Sequence, residues 1–314
     1  MKLVKKFRNN FRHYKARLRL FFTFKRLGLG KNDWIFLIDY GIGDTLFFCS
    51  LMKEFKKKNG GRIALISRDG REKIVKMFSD IDFYIPLDSR FVKIDSKRIC
   101  NSDLIEKGKI FVPHPLSNKA IASMTKIIGY KDFTLLDMYK IIIGLPADSE
   151  MAKPNFEVYD IVWAKDFLKQ NDCDPQRTIM IFPSANSVKP ISKDFWIELI
   201  AQFAEKGFKI IANSGPEGYF FKHKNVINLN MHLTKTAEIG LVVNSVIASR
   251  SGICDLLAMG DRKITALYPY PSVDTQKGIS LVVMFAKNKN LTELVINESK
   301  KQKETIKQIV SSCG

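Results

Sequence analysis

At 314 residues the chain is longer than one hydrophobic core usually serves, so two domains of roughly 150 residues each are expected. The net charge of +19 is unevenly spread: residues 1–30 hold ten Lys/Arg and no acid, leaving +9 for the rest. Five scattered cysteines without a CxxC pair argue against a disulfide framework and a zinc site, and they suit a reducing, cytoplasmic compartment. The apolar runs fall far short of the roughly 20 residues of a membrane span, and no apolar core followed by a small-residue cleavage site opens the chain.

The basic segment comes first. Leu3, Phe7, Phe11, Tyr14, Leu18 and Phe21 recur every three or four residues, so a helix over 1–30 gathers them into an apolar stripe flanked by cations. Such a helix suits an anionic membrane surface, contacted through residues 1–26. In the alternative, the stripe packs on its own protein and the charges are merely solvated. Nucleic acid is not an expected partner, because the aromatics lie on the apolar stripe and not among the cations.

Beyond it, short apolar runs alternate with amphipathic ones, the pattern of parallel strands joined by crossover helices. Strands are expected at 34–39, 62–66, 82–85 and 109–112, with helices at 44–58, 70–78, 116–127 and 134–144. The first of these units reads FLIDYGIGDTLFFCSLMKEF: an apolar strand, the turn Gly41-Ile42-Gly43-Asp44, then a helix with Phe48, Leu51, Met52 and Phe55 on one face. It lacks the third glycine of a dinucleotide fingerprint and the Lys-Ser/Thr pair of a P-loop. LPADSEMAKPNF, residues 145–156, has two prolines and no periodicity. It places a linker at 149–156 between a first domain over 31–148 and a second over 157–314. The second half continues with strands at 178–182, 208–212, 226–229, 245–249 and 263–268, helices at 193–206, 233–242 and 252–259, and a final helix in ESKKQKETIKQIVSSC.

The expected fold is therefore α/β, with two doubly wound Rossmann-like domains facing across a cleft and ligands at the carboxyl ends of the strands. In the second half those ends carry FPSANSVK, ANSGPEG, ASRSGICD and LYPYPS. Small residues and a few cations recur in these loops, as a phosphate-bearing ligand requires.

With these residues in view, the chain resembles the heptosyltransferase-like glycosyltransferases of family 9, which share the two-domain fold called GT-B. GIGDTLFFCSLMKEFKKK is similar to that family's first motif. IMIFPSANSVKPISKDFWIELIAQFAEKGFKIIANSGPEG resembles its donor-side run, and LTKTAEIGLVVNSVIASRSGICDLLAMGDRKITALYP has the layout of the segment that follows. The likeness spans roughly residues 32–272. Where the family usually has Asp-Ser-Gly-Pro and then a histidine, this chain has Arg250-Ser251-Gly252-Ile253 with Asp255 beyond, and the proline usual in the first helix is missing.

The resemblance implies an enzyme, a glycosyltransferase with a nucleotide-sugar donor and a glycan or glycolipid acceptor such as lipopolysaccharide or capsule, acting peripherally at the inner membrane face without metal or cofactor. Asp44 matches the family's base by position, beside Gly41 and Gly43 on the acceptor side. Helix-start N–H groups favour its charged form, and it equally fits a helix cap. Lys189, Arg250 and the Ser251-Gly252 turn are placed to hold a leaving diphosphate. Arg250 can instead pair with Asp255. Ser184 and Ser251 offer hydroxyls, while Gly215-Pro216-Glu217 bound a nucleotide pocket, with Glu217 a ribose acceptor or a solvated acid. His114 is either an acceptor-side residue or structural in its proline-framed loop. The Asp-x-Asp matches Asp80-Ile81-Asp82 and Asp172-Cys173-Asp174 lack the setting of a metal site. Two rivals share the fold: another transferase, such as one resembling polysaccharide pyruvyl transferases, and a non-catalytic glycan- or membrane-binding protein.

Overall fold

The computed structural model describes residues 11, 14–15, 18–38, 40–87, 105–113, 133–185, 188–214, 219–269, 277–296 and 302–313. The chain divides into two compact units, one of Met1–Ile127 with Leu135–Lys153 and one of Ile128–Thr134 with Pro154–Gly314. His114, the Gly215-Pro216-Glu217 turn and the helix expected at 116–127 lie outside the described residues.

In the first unit β1 (Trp34–Ile38), β2 (Ile63–Arg68), β3 (Phe83–Leu87) and β4 (Ile110–Phe111) form a parallel sheet in the order β3-β2-β1-β4. All five residues of β1 are buried, as a strand covered on both faces requires. Its side chains alternate between two cores. Ile35 and Leu37 join Ala64, Ile66, Ile85 and Val112 on one face, against Leu20 of the N-terminal helix α1, which runs unbroken over 18–26. On the other, Phe36 meets Phe48 and Phe55 of α2 (Ile42–Asn59), with ring centroids 4.9 and 5.3 Å away. Short α3 (Glu72–Lys76) and α4 (Leu135–Ile142) complete the described helices of this unit.

The second unit begins with α5 (Ile161–Gln170) and then builds six parallel strands: β5 (Thr178–Phe182), β6 (Lys209–Asn213), β7 (Val226–Leu229), β8 (Ser245–Ser249), β9 (Ile264–Pro269) and β10 (Leu291–Ile296). Their order, β10-β9-β8-β5-β6-β7, is the doubly wound order 3-2-1-4-5-6 read from the other edge. Helix α6 (Lys193–Glu205) starts at the Ser192 cap and buries Phe195, Trp196, Leu199 and Phe203 against Ile179, Ile181, Ile210 and Ile247. Helices α7 (Leu233–Gly240), α8 (Gly252–Met259) and α9 (Leu281–Met284) follow, and α10 (Gln302–Cys313) seals the α6 core with Ile306, Ile309 and Val310.

Three elements escape the sequence reading. Helix α5 buries only Ala164 and Leu168, too narrow a stripe to stand out. Four-residue α9 has no period to read. Edge strand β10, LTELVI, pairs on one side only and is mostly half-exposed, so it lacks the continuous apolar run of a central parallel strand. The N-terminal stripe faces outward, so of its two readings the one that packs it on its own protein does not hold for the described residues. Its described members Phe11, Tyr14, Leu18 and Phe21 are exposed, while Leu20, with Phe24 and Leu27, makes the contact with the sheet.

Candidate functional site

Each sheet has one place where the strand order reverses, and open α/β sheets bind ligands at the carboxyl ends there. In the first unit this point lies between β1 and β4, and in the second between β5 and β8.

The turn after β1 leads straight into α2, with Gly41 as N-cap in an extended conformation. Half-buried Asp44 folds its carboxylate back, so that Oδ2 accepts the Gly41 N–H at 2.9 Å. A Cβ at position 41 would stand 3.1 Å from that oxygen, tight enough to force the carboxylate to shift. Gly43 is buried within the first turn. The other oxygen, Oδ1, accepts the hydroxyl of Tyr139 at 2.8 Å from α4, 95 residues away in the chain. Tyr139 is fully buried; burial raises its phenol pKa well above the ordinary value, and the neighbouring Asp44 charge raises it further. It therefore remains a proton donor to Asp44 throughout the neutral range. Asp44 is at once a helix cap and a carboxylate fixed from two sides. Tyr139 is the residue sequence reasoning missed, since nothing local marks one tyrosine in an aliphatic helix as the partner of a distant turn.

In the second unit Ser249, the last residue of β8, donates its hydroxyl to Pro183 O at 3.0 Å and ties together the ends of the two strands at the switch point. Ser184 and Lys189, beyond β5, are exposed. Ser251 is the N-cap of α8 and makes no side-chain capping bond, so the half-buried Ser251-Gly252 turn presents the start of the helix. Arg250 does not extend toward this edge. Only 4% exposed, its guanidinium forms a two-pronged pair with Asp255 (Nη1–Oδ2 3.0 Å, Nη2–Oδ1 2.6 Å) and donates to the carbonyls of Ile279 and Ser251 at 2.8 Å. Burial opposes its charge, but Asp255, with Tyr268 and Cys254 beside it, lifts its pKa above the ordinary value. Of the two sequence alternatives, the geometry is that of the internal pair. The pairing also neutralises Asp255, whose charge in the first turn of α8 would otherwise oppose an incoming anion.

A second polar group stands beside this pair. The Glu293 carboxylate accepts from the Tyr268 hydroxyl, the Ser280 hydroxyl at 2.7 Å and the Leu281 N–H at 2.6 Å, while Tyr268 also donates to Ile279 O. Together with Arg250 it fixes the segment 279–281. Just past β6, the buried Ser214 hydroxyl has no hydrogen-bond partner among the described residues. The Asp-x-Asp matches are structural: Asp82 accepts from Lys56 and from the Ile63 N–H, and Asp174 caps a short 3₁₀ turn. Among the described residues no group of three His, Cys, Asp or Glu side chains is placed to hold a metal ion. No described helix is long and apolar enough to cross a membrane.

No family model matches the sequence, and no curated protein matches it either. Solved structures do match by shape. An E. coli ADP-heptose LPS heptosyltransferase II is 12% identical with a TM-score of 0.60, over 89% of this chain and 98% of that one. The E. coli heptosyltransferase WaaC with ADP is 14% identical (TM-score 0.58; 89% and 99% covered), and a family 9 glycosyltransferase from Veillonella parvula is 16% identical (TM-score 0.57; 89% and 92%). At such identities the likeness establishes the fold: two Rossmann-like α/β domains of the GT-B type.

Proposed function

We propose that the protein is a metal-independent, inverting glycosyltransferase that moves a sugar from a nucleotide donor to a cell-surface glycan, of the lipopolysaccharide or capsule class, at the cytoplasmic face of a membrane. The observation that carries this reading is Asp44, a carboxylate aimed and fixed at the switch point of the first sheet by Gly41 and Tyr139. In the reaction Asp44 accepts the proton of an acceptor hydroxyl as its oxygen attacks the anomeric carbon. The bond from that carbon to the phosphate oxygen breaks with inversion, and the nucleoside diphosphate departs with the bonding pair. Its charge is met by Lys189 and by the N–H groups that open α8 at Ser251-Gly252, with Ser184 and Ser251 as hydroxyl donors. The Arg250–Asp255 pair holds that helix start in place without touching the ligand. The WaaC structure of this fold is one with ADP, which supports a nucleoside diphosphate as the leaving group.

A thermal-shift panel of nucleotides, nucleotide sugars and phosphoenolpyruvate tests the reading, because a ligand specific for the folded site raises the melting temperature by mass action. Stabilisation by a nucleoside diphosphate and its sugar, with turnover that persists in chelator, is the expected result. Stabilisation by phosphoenolpyruvate alone would replace it with pyruvyl transfer. Binding of glycans with no turnover of any donor would leave a non-catalytic protein.

A further inference from the structure

Helix α1 has two apolar sides, and the fold uses one. Leu20, 4% exposed, with Phe24 and with Leu27 just beyond the helix, packs into the core of the first sheet. At about 100° per residue, Leu18 and Phe22 fall opposite Leu20, and Phe21 on the flank between, while Phe11 and Tyr14 precede them in the chain and are exposed too. These five are between 38% and 63% exposed. Lys15, Arg19, Lys25 and Arg26 are exposed along the same outward half, and residues 1–30 contain no acid. Soluble monomers rarely leave so many large apolar side chains contiguous in water without a partner for them.

We infer that this outward face of α1 is a docking surface for a bilayer rich in anionic lipid. It deepens the membrane location proposed above and rests on that reading only for which side of the membrane is met. Charge decides the occupant: a second copy would set this acid-free, cationic helix against itself, whereas an anionic bilayer offers headgroups for the cations and an acyl boundary for the aromatics. Because Leu20 bolts the opposite side to the sheet, the surface is rigid, and the α1-covered face of the first sheet faces the lipid.

The test is co-sedimentation of the full chain with phosphatidylglycerol and with phosphatidylcholine vesicles, read without any sugar donor. Partitioning to the anionic vesicles alone, weakened by salt, is expected. Phe21→Ser with Phe22→Ser should lower it at least tenfold, and Lys15, Arg19, Lys25 and Arg26 all changed to Gln by roughly several hundredfold, at about fivefold per cation. Neither variant should alter the melting temperature, whereas Leu20→Ser should lower it. Unchanged partitioning in both outer-face variants would overturn the assignment. So would a dimer in light scattering that Phe21→Ser/Phe22→Ser dissolves, since the face would then join two copies. A protein that binds vesicles and transfers no sugar keeps the docking surface and loses only the enzymatic reading.

Discussion

The two switch-point turns use their charged residues in opposite ways. After β1 the acid stays at the edge, half-buried, with its two oxygens held by Gly41 and by Tyr139. After β8 the cation withdraws, and the hydrogen bonds of Arg250 go to Asp255, Ile279 and Ser251 inside the unit. A charged residue at a strand end thus either stays half-buried at the edge or is drawn into the unit, and its partners in the fold decide which. Drawn inward, Arg250 fixes the backbone around it through Ile279 and Ser251.

The largest effect should come from breaking the inward turn. Arg250→Ala leaves the Asp255 carboxylate buried without its cation, and denaturant unfolding should show a loss of about 3–5 kcal/mol. Arg250→Met with Asp255→Leu should recover most of it, because the charge and its partner leave together. Stability unchanged in Arg250→Ala would mean that the guanidinium is spare for a ligand, and the contrast between the turns would collapse.

Asp44→Asn probes the outward turn. Turnover should fall by on the order of a hundredfold or more, with donor affinity by calorimetry nearly unchanged, since the lost group acts on the proton and not on the nucleotide. Wild-type turnover would reduce Asp44 to the helix cap it also is.

Tyr139→Phe removes one of the two bonds that orient Asp44. About 1 kcal/mol of interaction is at stake, so kcat should drop roughly fivefold with the KM for donor held. A change in KM alone would show that Tyr139 shapes the pocket and does not aim the carboxylate.

The smallest effect is expected at Ser251, whose hydroxyl makes no capping bond. Ser251→Ala should change stability by no more than about 0.5 kcal/mol, while weakening nucleoside diphosphate binding a few-fold. A large loss of stability would show the hydroxyl to be structural after all, and the second turn would then carry no ligand-facing side chain.

Much of this was legible in the chain itself. Buried parallel strands such as WIFLI and TIMIF, a glycine turn before an amphipathic helix, and small-residue loops at strand ends are local patterns, and they suffice for the class of fold and for placing Asp44 at an edge. The stripe in residues 1–30 was equally visible, but its facing was not: Leu20 and Phe21 are neighbours in sequence, and only the sheet beneath α1 determines which is buried. For the same reason Arg250 read as well for a ligand contact as for an internal pair, because a side chain's partner depends on what the fold brings within 3 Å of it. Tyr139 shows the limit most plainly. Its contact with Asp44 spans 95 residues and exists only because α4 packs near the start of α2. Periodicity and turn chemistry act over a few residues and are written in the sequence, whereas the choice among polar partners is made by long-range packing.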